Sequence, residues 1–328
     1  MQKSSFSKIF LILLIIFNFS LIASYTLLTN NFISDYSNDQ IQNPTKIVNK
    51  DKIIEEYLKV LEGHKLDILK NISTNNIYDY TSYLSGDIYD RPAGTQKEKD
   101  TADWIKSNLV LWGYDTEIQS FKLPDGRESQ NVIADKVSNN NNIIIIIGAH
   151  YDTVSQTGGA MDNSIGVAVT LEIARIIYSH EIPLNIKFIL FGAEECFTST
   201  CSSYHLGSRY YVSTLPQEEK ENITGMINLD VIGEDTDIEF HIKYGLSDNF
   251  NEALKTSFSE QNIQVVTKPS QNWSDHRSFE NANIPAVFIF TSGYSLGHSK
   301  DDTIDKVHFE VTEKITKGIV WYILNWKE

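Results

Sequence analysis

Cysteine is nearly missing: Cys196 and Cys201 are the only two among 328 residues, too few to build a thiolate zinc site. Positive charge is short as well. With 28 lysines and arginines against 43 aspartates and glutamates, the formal net charge is -15. No basic stripe is left to track a phosphate backbone, which excludes a nucleic-acid partner. The G-x-S-x-G pattern of a serine nucleophile elbow does not occur, and neither cysteine has a plausible catalytic pairing, so covalent hydrolysis finds no support. There is no internal repeat and no long low-complexity tract.

What is present begins with an apolar run. Lys3 and Lys8 precede an uncharged stretch from about Ile9 to Leu28. Roughly 20 apolar residues suffice to span a bilayer, whereas the core of a signal peptide runs to about 7–15. The best cleavage point, after Ala23, has Leu21 where a small residue is preferred. The stretch has no amphipathic face, which argues against a buried core helix. Residues 9–28 are therefore expected to anchor the chain in the membrane, with residues 1–8 as a cytoplasmic stub; a cleaved signal is the alternative. The lysines before the run and the acidic residues after it place the body outside the cytoplasm, membrane-anchored or secreted. In that compartment Cys196 and Cys201 are expected to form a local disulfide.

Residues 29–75 are polar, with one modest helical stretch, and suggest a stalk. From residue 76 to 328 helical and apolar segments alternate. "IIIII" at 143–147, "IKFILF" at 186–191, "GMINL" at 225–229 and "PAVFIF" at 285–290 are short, nearly continuous apolar runs, as expected of strands covered on both faces. "SIGVAVTLEIARIIY" is apolar nearly all round and predicts a buried helix. The pattern predicts one α/β domain, a mostly parallel central sheet with helices on both faces.

The strand ends carry the chemistry. The first run stops at "GAH" with His150, the second at "GAEE" with Glu194 and Glu195, the third at Asp230, and the fourth is followed across "TSGYSLG" by His298. Asp162 opens the buried helix after the first strand. Ligands of open α/β sheets bind beyond the carboxyl ends of the strands, so these residues share one rim. Two histidines and several carboxylates without a thiolate suit zinc. An aspartate can bridge two zinc ions about 3.5–4 Å apart, a pair able to polarise a carbonyl and hold a hydroxide. One carboxylate must then stay off the metals to take a proton, and adjacent side chains of "EE" diverge.

The succession "GAHYDTV", "GAMDNSIGVA", "LFGAEE", "LGSRYY", "MINLDVIG", "WSDHRSF", "NIPAVFIF" and "GHSKDDT", with "YLSGDIYDRPAGT" at 83–95, resembles the motifs of the co-catalytic di-zinc aminopeptidases. These are secreted or membrane-anchored zinc exopeptidases with a phosphorylase/hydrolase-like fold. The resemblance covers about residues 76–325. It implies two zinc ions per chain, one on His150 and Asp230, the other on Glu195 and His298, with Asp162 between them. Glu194 would be the general base and acid, and Asp152 would fix the His150 imidazole. The implied substrates are peptides with a free N-terminus.

The chain departs from that pattern in three places. Met161 stands where the family usually has a second aspartate. Gly297 stands where the family often has a tyrosine that helps polarise the carbonyl, leaving Tyr294 as a substitute. The segment between "GAEE" and "LGSRYY" is long and holds both cysteines. His276 competes with His298 as a ligand but precedes its strand. The other histidines, 64, 180, 205, 241 and 308, have no metal spacing and read as surface or helix-end residues. Two rival functions remain. One is a glutaminyl-peptide cyclotransferase, with one zinc and a similar long loop. The other is a non-catalytic ectodomain, which should have lost ligands that this chain retains.

Overall fold

The computed structural model describes residues 50–138, 142–195, 203–293 and 295–326. The apolar run 9–28, Cys196, Cys201 and Tyr294 lie outside them, and with them the expectations of an anchor or signal, a disulfide and a substitute tyrosine. Among the described residues no helix is long and apolar enough to cross a membrane. The chain divides at Leu61 into two units; of the first, only the start of the helix Lys50–Leu69 is described, and the second holds everything below.

The described strands form one eight-stranded sheet in the order β1-β2-β4-β3-β5-β8-β6-β7. They are β1 Asp115–Lys122, β2 Glu128–Lys136, β3 Ile144–His150, β4 Asn185–Phe191, β5 Ile223–Leu229, β6 Ile238–Ile242, β7 Val266–Pro269 and β8 Ala286–Thr291. The centre, β4-β3-β5-β8, is parallel, as the apolar runs predict. The flanks join it antiparallel, β2 against β4 and β6 against β8, although β6 and β7 are parallel to each other, so the sheet is mixed rather than mostly parallel. β1 pairs with β2 antiparallel because the turn between them, where Leu123 N donates to Arg127 O at 2.9 Å, is too short for a crossover. On the other side, residues 230–237 turn the chain straight back from the end of β5, and β6 runs antiparallel to β8.

Alternation along the strands sorts the core into two layers. Ile145, Ile147 and Ala149 of β3 face the larger one, with Phe188 and Leu190 of β4 and the helices Ile165–Tyr178 and Phe309–Leu324. Ile146, Ile189 and Met226 face the other, beneath the helices Leu206–Thr214 and His276–Asn281. Strands β2, β6 and β7 are not evident from the sequence. β2 opens with buried Ser129, Gln130 and Asn131, which breaks its apolar pattern. β6 has Glu239 and His241 on one face, and these look solvent-facing although both are buried.

Where the helix Leu206–Thr214 crosses the end of β4, only a glycine fits. A Cβ on Gly207 would stand 2.3 Å from Gly192 O and 2.4 Å from Asn131 Oδ1. Alanine normally favours a helix over glycine by about 1 kcal/mol; here the backbone clash should reverse the sign. Gly207→Ala should lower unfolding free energy by about 1–3 kcal/mol, measured by urea denaturation.

Candidate metal centre

The parallel strands deliver their ends to one rim. His150 is the last residue of β3. Glu194 and Glu195 follow β4 after a turn through Ala193, at φ 53°, and Asp230 directly follows β5. Asp162 comes from the irregular turn Ala160–Ser164 ahead of the buried helix. His298 lies beyond β8, with φ 59°. All but His298 are at most 6 % exposed.

Asp162 is the pivot. Its Oδ1 is 3.2 Å from His150 Nε2, and its Oδ2 is 3.4 Å from His298 Nε2. His150 Nε2 also lies 3.3 Å from Asp230 Oδ1, and His298 Nε2 contacts Glu195 Oε1. Two groups with the reach to hold a cation result, His150–Asp162–Asp230 and Asp162–Glu195–His298, sharing Asp162. A third, His150–Glu194–Glu195, would leave Asp162 and His298 out.

The charges ask for a cation. Burial, and then Asp162, push the Glu195 carboxyl up to about 7 despite His298. Burial and Glu195 raise Glu194 well above the carboxylate range, and burial raises Asp230 against the pull of His150. His298 is lifted to about 9, chiefly by its bond to Glu195. Burial opposes charge on His150, yet Asp230, Asp152 and Asp162 outweigh it and raise its pKa. Glu195 Oε2 is buried without a hydrogen-bond partner among the described residues. A nitrogen-and-oxygen donor set with an orphaned, buried carboxylate oxygen fits zinc.

Backbone hydrogen bonds hold this charge in place. Asp152 takes the amides of Glu194 and Glu195 on its two oxygens, each at 2.9 Å, while its backbone oxygen takes His150 Nδ1 at 3.2 Å. It therefore fixes the imidazole mostly through the main chain and fixes the glutamate pair through its carboxylate. Asp302 does likewise for the pivot, accepting from Met161 N at 2.7 Å and Asp162 N at 3.1 Å. Burial pushes its own carboxyl up to about 6. Asn163 Nδ2 reaches Leu229 O at 2.8 Å, tying this turn to β5.

Sequence reasoning missed several of these residues. Fully buried Arg91 binds Tyr151 O at 2.5 Å, Gly158 O at 2.8 Å and Ser164 Oγ at 2.8 Å, stapling the loop that carries Asp162. Burial lowers its pKa to about 10. Glu98 Oε1 accepts from Ala193 N at 3.2 Å and from Ser129 Oγ at 2.6 Å. Arg91 and Asp302 do sit inside the quoted "YDRPAGT" and "GHSKDDT". His205 opens a helix as expected, but is buried with Nε2 3.0 Å from Glu194 Oε1. His241 is neither a surface nor a helix-end residue: it is buried on β6. His276 is fully buried, stacked on Phe288 with its Nε2 2.9 Å from Gln271 O, and joins none of the metal groups.

Comparison with known proteins bears on the family and the fold. Residues 131–323, more than half of the chain, match the model of Peptidase family M28. The chain belongs to that family. It is 32% identical over 261 residues to Aminopeptidase YwaD of Bacillus subtilis (strain 168), which covers 76% of this chain and 54% of the relative. The chain spans about half the length of the curated relatives it matches, 44% and 54% for two of them. Among solved structures, a zinc aminopeptidase from Bacillus subtilis, BSAP, superposes with a TM-score of 0.71 at 19% identity, covering 77% of this chain and 94% of that one. Glutaminyl cyclase of Porphyromonas gingivalis gives 0.67 at 22% identity, covering 77% and 98%. These two likenesses are of fold alone.

Removing the support under the pivot should cost metal rather than fold. Asp302→Ala frees the amides of Met161 and Asp162, and zinc affinity should fall by about 10–100-fold. Chelator competition measures this; an unchanged affinity would show that Asp302 does not hold the site.

Proposed function

We propose that this chain is a zinc-dependent aminopeptidase with two zinc ions, one on His150 and Asp230, the other on Glu195 and His298, bridged by Asp162. The observation that carries it is the division of the Asp162 oxygens between two histidines, each with a further carboxylate of its own. When bound, zinc supplies a Lewis acid for the peptide carbonyl and makes water acidic enough to ionise near neutral pH.

The chain's own residues do the rest. Glu194 belongs to neither group that shares Asp162, so its carboxylate is left to take a proton from water and return it to the leaving amine. His205, at 3.0 Å, and the Asp152 bond to its amide limit where it can point. Glu194 and Asp230 both line the adjoining cavity, and their negative potential favours the ammonium group of a peptide's N-terminus. The apolar run 9–28 supports an extracytoplasmic enzyme, anchored or secreted; membrane fractionation with and without that run tests it.

Chelation should abolish hydrolysis of aminoacyl anilides, and zinc should restore it. Two zinc ions per chain favour this reading, and one favours the cyclotransferase alternative. Full activity after thorough demetallation would contradict both.

The two glutamates should separate cleanly. Glu194→Gln keeps size and hydrogen bonding but loses the proton acceptor, so turnover should fall by at least about 10²–10⁴-fold with zinc content unchanged. Glu195→Gln should instead lose zinc, and excess zinc should restore part of the activity. The opposite pattern in metal analysis would reverse the two roles.

A further inference from the structure

Asp162, Glu194, Glu195, Asp230 and His298 line one side of a cavity of about 690 Å³. The other side is built from three neighbouring strands. Glu239 pairs with Phe290 and His241 with Phe288 across β6 and β8, while Lys268 of β7 lies opposite His241. These side chains share one face of the sheet, with Trp273 beside them. The His241 ring centroid is 5.4 Å from that of Trp273, 5.5 Å from Phe288 and 5.7 Å from Phe290.

Among the described residues, the Glu239 carboxylate in this enclosure is satisfied and one imidazole nitrogen is not. Glu239 Oε1 accepts from Lys268 Nζ and Ser292 Oγ, both at 2.6 Å, and its Oε2 faces His241 Nε2 at 2.9 Å. The carboxylate has both oxygens engaged, and Lys268 offsets its charge. The bond from His241 Nε2 to a carboxylate assigns the ring proton to that nitrogen, leaving Nδ1 as an acceptor in the neutral ring. Nδ1 is buried and has no hydrogen-bond partner among the described residues. An unpartnered buried acceptor costs free energy until a donor reaches it.

We propose that this enclosure receives the side chain of the substrate's first residue and selects tyrosine, an aromatic ring with a hydrogen-bond donor at its far end, with His241 as the specificity-determining residue. The inference rests on the aminopeptidase reading. Phe288, Phe290 and Trp273 supply ring contacts, and His241 Nδ1 takes the phenol hydrogen. Phenylalanine fills the same space but leaves Nδ1 unpaired. A lysine or arginine head would have to displace Lys268 from Glu239, so the enclosure does not favour a basic residue.

The test is a series of p-nitroanilides of tyrosine, phenylalanine, 4-methylphenylalanine, leucine and arginine, assayed with the zinc-loaded protein. Tyrosine should exceed phenylalanine and 4-methylphenylalanine in kcat/KM by about tenfold or more, since a pocket built to hydrogen-bond a substrate hydroxyl rejects analogues lacking it. The 4-methyl compound matches tyrosine in size, so the wild-type series alone separates hydrogen bonding from shape. His241→Phe should bring the tyrosine-to-phenylalanine ratio to about one while phenylalanine is still cleaved. The rise in Tm with L-tyrosine should exceed that with L-phenylalanine, and His241→Phe should remove the difference; this reads binding without turnover. Equal cleavage of tyrosine and 4-methylphenylalanine, or a preference for arginine, would overturn the proposal and leave the aminopeptidase reading intact. No cleavage of any anilide would overturn the aminopeptidase reading itself.

Discussion

Four carboxylates, those of Asp162, Glu194, Glu195 and Asp230, are held nearly dry around two histidines. Burial raises the proton affinity of Glu194, Glu195 and Asp230. Without a compensating cation, such a cluster would take up protons or draw in water. The chain holds it in the folded state through connections that leave it no room to spread. The parallel strands fix where His150, Asp230 and the glutamate turn emerge, and the helix Ile165–Tyr178, buried along nearly its whole length, fixes the turn that carries Asp162.

The supports share one logic. Asp152, Asp302 and Glu98 each use a carboxylate to hold main-chain amides of the segments that carry the clustered histidine and carboxylate side chains. Arg91 spends its guanidinium on main-chain carbonyls of the neighbouring loop. Held in this way, the loops keep their geometry without using the side chains that face the cavity. Those side chains stay available for metal, water and substrate.

Much of the site is legible in the sequence because buried parallel strands are unbroken apolar runs, and polar residues at their ends stand out. His150, Glu194, Glu195 and Asp230 are visible for that reason, and Asp162 because its turn directly precedes a nearly all-apolar helix. Arg91, Glu98 and Asp302 are not, since most of their partners are backbone groups, and any residue type can supply those. β6 hides for a different reason: Glu239 and His241 alternate with apolar residues as a solvent-facing strand would, yet they face a cavity. The parallel centre of the sheet is legible from the apolar runs. The antiparallel joins on either side of it are not, because strand direction there depends on the short connection 230–237 and the β1–β2 turn, which carry no apolar signal.

The proposed function requires Asp162 to stand between two metals. Anomalous diffraction at the zinc edge from crystals of the zinc-loaded protein tests this most directly. Two peaks about 3.5–4 Å apart, one beside His150 and Asp230 and the other beside His298 and Glu195, with Asp162 touching both, are the expected result. A single peak at saturating zinc, or a second ion that Asp162 does not touch, would contradict it.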